Sequence, residues 1–303
     1  MNNKVVLIGC GNVGMSYAYA LLNQRTYVNK LVLIDLNKDR IDGEVMDLNH
    51  CLAYAPSKIS ISNGEYSDCK DARIVVIAAG ANQKPGETRM DLIHKNAAIF
   101  KDIVDKVMAS GFNGIFVVAT NPLDVMTYLT YKYSGLPASR VIGTGTSLDT
   151  ARLQLIIGKK LCINPKNIQA YVIGEHGDSE FIPWSNANIS LQNIKEFFTK
   201  QELDAIEDDV RNAAYEIINR KGATYYGIGM AMVRITNAIL GNENIIIPLS
   251  VYDEYNDVYI GMPAILNEKG VERRIRLSLT PLEEERLQNS INVIKENIQS
   301  LDK

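Results

Sequence analysis

Residues 5–14 read VVLIGCGNVG, and the fold turns on how they are read. Val5 to Ile8 form an apolar, largely β-branched run, which suits a buried strand. Three glycines follow as G-x-G-x-x-G, at Gly9, Gly11 and Gly14, where a helical pattern begins. Glycines at this spacing allow a tight turn and let the backbone approach a pyrophosphate, with a helix N-terminus facing the negative charge. The next apolar run, KLVLID (30–35), ends on Asp35. A carboxylate there can accept hydrogen bonds from both ribose hydroxyls and would repel a 2′-phosphate, which favours NAD over NADP. The expected cofactor residues are Gly9, Gly11, Asn12, Val13, Gly14 and Asp35. The competing reading, glycines that serve only close helix–strand packing, does not account for Asp35.

Outward from this motif, the first half alternates strands and helices. KISIS (58–62), ARIVVIAA (72–79), GIFVVAT (114–120) and RVIGTG (140–145) join the two runs above as strands. Several are apolar throughout, as parallel strands covered on both faces are. In 39–54, Ile41, Val45, Leu48 and Leu52 recur at helical spacing. The pattern predicts an α/β fold with an N-terminal Rossmann-type doubly wound parallel sheet in residues 1–143. Residues 144–303 read as a second, α+β catalytic domain. Its helices are expected at 147–161, 201–221 and 223–240, its strands at 244–253, 258–266 and RIRLSL (274–279). A last helix should start at Thr280 as N-cap, with Pro281 first and Glu283 closing a capping box. Its stripe, Leu287, Ile291, Ile294, Ile298 and Leu301, should pack on its own domain, being too short for a coiled coil.

Bulk properties exclude several classes. Hydrophobic residues are 46% and charged ones 22%, as in globular proteins. A net charge of −3 gives no reason to expect nucleic acid or an acidic membrane as partner. The four cysteines, Cys10, Cys51, Cys69 and Cys162, have neither C-x-x-C spacing nor a zinc pattern, so free thiols and no metal are expected. Lys4, the apolar run and AYA (18–20) superficially suit a secretory leader, but the glycine motif explains them better. The longest uncharged run, 107–123, is broken by Gly111, Asn113 and Pro122 and is too polar to span a bilayer. A cytoplasmic protein is expected.

Three histidines are candidates for proton transfer: His50, His94 and His176. The first two sit in helical patterns and read as structural. His176 lies in VIGEHGDSE (172–180), between glycines, where the backbone presents its ring. In SLDTARL (147–153), Asp149 and Arg152 share a helix face. A surface ion pair is the commoner meaning of such spacing. Beside a catalytic histidine, Asp149 could fix the imidazole tautomer and Arg152 could hold a carboxylate by two parallel hydrogen bonds.

Six pieces in order, GCGNVG with Asp35, GANQKPGETR (80–89), VATNPLDV (118–125), SLDTAR, GEHGD and ATYYGIG (223–229), resemble the lactate/malate dehydrogenase family over essentially the whole chain. The loop ANQKPGETR is most similar to its bacterial lactate branch. The resemblance implies NAD-dependent hydride transfer to a 2-keto acid, with His176 as proton donor and acceptor, Asp149 as its partner and Arg89 polarising the carbonyl. It implies that Arg152 binds the substrate carboxylate, that Asn121 lies by the substrate and the nicotinamide ribose, and that Thr224 lines the pocket. Malate enzymes of the family carry Arg where this chain has Gln83, so pyruvate and L-lactate are the expected pair. Gln154 and Gln169 replace an Arg and a His of relatives activated by fructose 1,6-bisphosphate, so little activation is expected. A homotetramer is implied, without the N-terminal arm of vertebrate members. A malate enzyme and a non-catalytic NAD-binding protein are the alternatives; the latter would need none of His176, Asp149, Arg152 and Arg89.

Overall fold

The computed structural model describes residues 2–81 and 89–302, with Arg89 and Asp302 described by backbone alone. The first half contributes strands β1 (Lys4–Ile8), β2 (Lys30–Ile34), β3 (Ser60–Asn63), β4 (Ile74–Ile77), β5 (Ile115–Val118) and β6 (Val141–Gly143). Between them run α1 (Asn12–Leu22), α2 (Lys38–Cys51), α3 (Arg89–Ala109) and α4 (Leu123–Ser134). All six strands are parallel, in the order β3-β2-β1-β4-β5-β6. The order reverses direction at β1, and in such sheets ligands bind outside the strand C-termini at that switch point. Gly9 to Gly14 lie there.

The sheet is covered on both faces, which is why its strands read as unbroken apolar runs. Val5, Leu7, Leu31 and Leu33 face one core, with Tyr17, Leu21 and Met232. Val6, Ile8, Val32 and Ile34 face the other, with Phe100, Val104 and Met126. Alternate residues of one strand thus serve opposite cores.

The second half contributes α5 (Ser147–Leu161), α6 (Lys200–Lys221), α7 (Tyr226–Leu240) and α8 (Pro281–Gln299). A small antiparallel sheet, β7 (Ile168–Gln169), β8 (Asn188–Ile189) and β9 (Gln192–Asn193), was not foreseen from the sequence. The antiparallel strands β10 (Ile245–Asp253), β11 (Val258–Asn267) and β12 (Gly270–Arg274) extend the parallel sheet on the side of β6. The joint is one pairing, Ser250 with Gly143. A Cβ on Gly143 would come within 2.5 Å of Thr127 Oγ1 and 2.6 Å of Ser250 Cβ. The halves also meet where α7 crosses α1: Gly229 rests on the Ser16 backbone, and the buried Tyr17 hydroxyl shares a 2.9 Å hydrogen bond with Thr236.

The last strand corrects the sequence reading. RIRLSL was expected to pair over 274–279, but the ladder ends at Arg274, with a further backbone bond from Ile275 N–H to the Pro263 carbonyl. Leu277 and Leu279 still pack on the core, so the alternation records burial of an extended segment, not a strand. The α8 start agrees with expectation, including the capping box between Thr280 and Glu283. Ile291 and Ile294 are buried in the first core, with Leu287 and Ile298 packed against it.

Candidate active site

The three glycines of the first turn do different work. Gly9 has φ +97°, and a Cβ on it would lie 2.4 Å from the Ala79 nitrogen. A Cβ on Gly14 would lie 2.0 Å from the Gly9 carbonyl oxygen. One permits the turn, the other the close seating of α1 on β1. Gly11 has nothing within 4 Å of its Cβ position. It borders a cleft of about 750 Å³ lined also by Gly9, Asp35, Gly80, Ala81 and Ile99. Asp35 accepts hydrogen bonds from the Cys10 and Asn37 N–H groups at 2.7 and 3.1 Å. These bonds orient the carboxylate at the cleft rim and leave lone pairs for further donors. Asn12 and Val13 form the first turn of α1. Open space at Gly11 with an oriented carboxylate across the cleft suits the pyrophosphate and ribose of NAD.

From the cleft two hydrogen bonds lead to Asn121, and the backbone continues from there into the helix that holds the His176 loop. The buried Asn96 accepts from Ala81 N–H at 2.8 Å and donates to the Asn121 carbonyl at 3.0 Å. Asn121 itself is exposed and leads into α4. In that helix the buried Asp124 accepts from the His176 backbone N–H at 2.8 Å and from the Ser250 hydroxyl. Sequence reasoning missed Asn96, Asp124 and Ser250. An Asp in the first turn of a helix reads as an ordinary partner of the helix dipole, and only the fold shows that it holds the histidine loop.

The catalytic candidates converge. Asp149 is buried, and its two oxygens are taken by different partners: Arg152 Nη1 at 2.7 Å and His176 Nδ1 at 2.7 Å. Nδ1 is therefore committed to Asp149, and Nε2 is the nitrogen left for proton transfer. The His176 side chain is 25% exposed and that of Arg152 12%. Burial opposes the imidazolium. The charge and hydrogen bond of Asp149 outweigh it, Glu180 and Asp124 add to them, and the pKa rises from 6.5 to about 9. Asp149 is held below its ordinary value: burial works against ionisation, and His176 and Arg152 overcome it. Asp124 goes the other way, pushed up to about 6 by burial despite its two donors.

A family model for the lactate/malate dehydrogenase NAD-binding domain matches residues 3–143, and one for the family's α/β C-terminal domain matches 146–303. The chain belongs to the lactate/malate dehydrogenase family. It is thus an NAD-dependent oxidoreductase, with a Rossmann-type N-terminal half and an α/β C-terminal half. It is similar to an L-lactate dehydrogenase of Bacillus pumilus, 54% identical over 97% of this chain and 96% of that one. An L-lactate dehydrogenase of Halalkalibacterium halodurans is 52% identical over 97% of this chain and 96% of its own. The crystal structure of a lactate dehydrogenase from a deep-sea metagenome library superposes with a TM-score of 0.97 at 53% identity, covering 100% of this chain and 99% of that one.

Gln83 lies outside the described residues. Arg89 is the first residue of α3, and its side chain lies outside them too. Thr224 is half-buried in the α6–α7 connection. Just beyond it, in the first turn of α7, a Cβ on Gly227 would lie 2.7 Å from Leu148, the neighbour of Asp149, so the start of α7 abuts the start of α5. Gln154 on α5 donates to the Ile168 carbonyl at 3.1 Å, and Gln169 is exposed on β7. His50 and His94 are exposed on α2 and α3. All four cysteines are free thiols. One oxygen each of Asp149 and Glu180 and a ring nitrogen of His176 lie within 4.8 Å of one another, but Arg152 already supplies Asp149 with a positive charge where a metal would compete.

Proposed function

We propose that the chain catalyses the reversible NAD-dependent reduction of pyruvate to L-lactate. The observation that carries this is the Asp149 carboxylate seated between Arg152 and His176 at 2.7 Å from each. A 2-keto acid presents one carboxylate to anchor and one carbonyl to polarise and protonate. Arg152 gives one Nη1 hydrogen to Asp149 and keeps the rest of its five N–H donors for the substrate carboxylate. His176 gives its Nε2 proton to the keto oxygen in reduction and takes the hydroxyl proton in oxidation. Asp149 fixes the tautomer and stabilises the imidazolium. Arg89 polarises the carbonyl and stabilises developing negative charge. Gly9, Gly11, Asn12, Val13, Gly14 and Asp35 hold NAD, with Asn121 beside the nicotinamide ribose. NADH, when bound, supplies the hydride that goes to the carbonyl carbon.

The choice between substrates rests on Gln83 and Thr224. With Gln83 neutral, oxaloacetate would bury its second carboxylate without an ionic partner. That costs about 3–5 kcal/mol, on the order of 10²–10⁴ in rate ratio. The similar proteins named L-lactate dehydrogenase support the same choice. Loss of NADH absorbance with pyruvate against oxaloacetate tests the reading. A higher kcat/KM for pyruvate is expected, and a preference for oxaloacetate would reject it. Gln83→Arg should move the preference towards oxaloacetate. We assign the enzyme to the cytoplasm, as a homotetramer that responds little to fructose 1,6-bisphosphate. Among the described residues no helix is long and apolar enough to cross a membrane.

A further inference from the structure

Glu180 is 6% exposed and stands beside the Asp149–His176 pair. Its backbone N–H donates to the Gly177 carbonyl at 3.1 Å, which closes the turn that carries His176 and Glu180 together. The cations around it make their hydrogen bonds elsewhere, Arg152 to Asp149 and Arg211 to Glu207 and Asp208, and act on Glu180 through space. Two carboxylates so close in a buried space cannot both stay ionised freely, and one of them takes a proton. Asp149 has Arg152 and His176 as direct partners and keeps its charge. Glu180 is the one that holds a proton.

We propose that the Glu180 carboxyl is a positioning residue for proton transfer, a third member of the Asp149–His176 pair that acts on the imidazole through space. The proposal rests on His176 as the proton donor. With Glu180 neutral, the imidazolium and the Arg152 guanidinium face one carboxylate, and the net positive charge favours an anionic substrate. Burial, then the charge of Asp149, raises Glu180 to about 8. Both Glu180 and His176 thus titrate on the alkaline side of neutral, and as Glu180 ionises there its charge favours the proton on the ring. The two titrate as a coupled group. The other charged groups that act on this cluster are Asp149 and Arg152 from α5, Asp124 from α4 and Arg211 from α6, with Glu175 acting on Asp124.

Glu180→Gln removes the charge and keeps the shape. The readout is the rate of hydride transfer in single turnovers at saturating pyruvate, followed against pH, since that step needs His176 protonated. The alkaline midpoint should fall by on the order of one pH unit in the variant. A midpoint that stays in place or rises overturns the role. Glu180→Ser is the second variant if the first does not bind NADH, and the same shift is expected of it. Wild-type protein inert towards pyruvate would reject the lactate dehydrogenase reading and this role together. An active wild type with an unmoved variant midpoint would reject this role alone.

Discussion

At the scale of single residues, the Asp149 carboxylate holds the proposed site together, because one of its oxygens bonds Arg152 and the other His176. In the proposed mechanism reduction needs the imidazolium, so with a pKa near 9 for His176 pyruvate reduction should run through neutral pH and fade as pH rises past that value. Lactate oxidation needs the neutral ring and should gain over the same range, which paired pH profiles of kcat/KM check. Asp149→Asn removes the charge that leads the causes of the raised value and leaves a neutral amide oxygen as acceptor for Nδ1–H, so the fading should begin at lower pH. His176→Asn should abolish turnover and leave NADH binding, read by fluorescence, largely intact. Near-normal kcat in that variant would exclude His176 as the proton donor. Asp124→Ala leaves the His176 N–H without its acceptor, which should cost about 1–3 kcal/mol in urea unfolding and lower kcat. Asp124→Asn should rescue much of both, since its amide oxygen still accepts that N–H and the Ser250 hydroxyl can turn to accept from its amide. The members of the cluster were legible: His176 stood out by its setting between glycines, and Asp149 and Arg152 by helical spacing. The bond between His176 and Asp149 was not legible from spacing, because 27 residues separate them.

At the scale of elements, capping chemistry placed a helix start to the residue, while periodicity found most elements and misread one. Thr280, Pro281 and Glu283 marked the start of α8 because capping residues have fixed offsets from a helix. RIRLSL misled because alternation reports which side is buried and not whether a neighbouring strand is present. Glu283 also ties α8 to the Trp184–Asn186 turn by accepting from the Ser185 N–H at 3.0 Å and from its hydroxyl. Thr280→Ala should therefore cost about 1 kcal/mol, as cap losses do. Glu283→Ala should cost more, because it also strips the acceptors from Ser185. Chemical denaturation of both variants checks the order. Burial opposes ionisation of Glu283, and its hydrogen bonds with Ser185 and Thr280 overcome this and lower its pKa. Its contribution is accordingly present above the ordinary glutamate range and lost as pH falls.

At the scale of the molecule, the sequence marked out two halves, and the structure runs one sheet through both. That continuity was not legible, since a single pairing between Ser250 and Gly143 leaves no pattern in the chain. Assembly belongs to this scale too. Tyr19, Tyr226 and Met230 are 55%, 69% and 53% exposed along one groove between α1 and α7. This apolar surface supports the proposed tetramer. Tyr226→Glu together with Met230→Glu should lower the mass found by light scattering, and an unchanged mass would exclude this groove as a subunit contact. The Ser250–Gly143 joint has a last consequence, for anyone who cuts the chain. A fragment ending at residue 143 would keep the glycine turn, Asp35 and all six parallel strands, yet it would lose the strand that covers β6. The bared rim is a template on which other copies can add, so the severed half should self-associate rather than serve as a portable cofactor module.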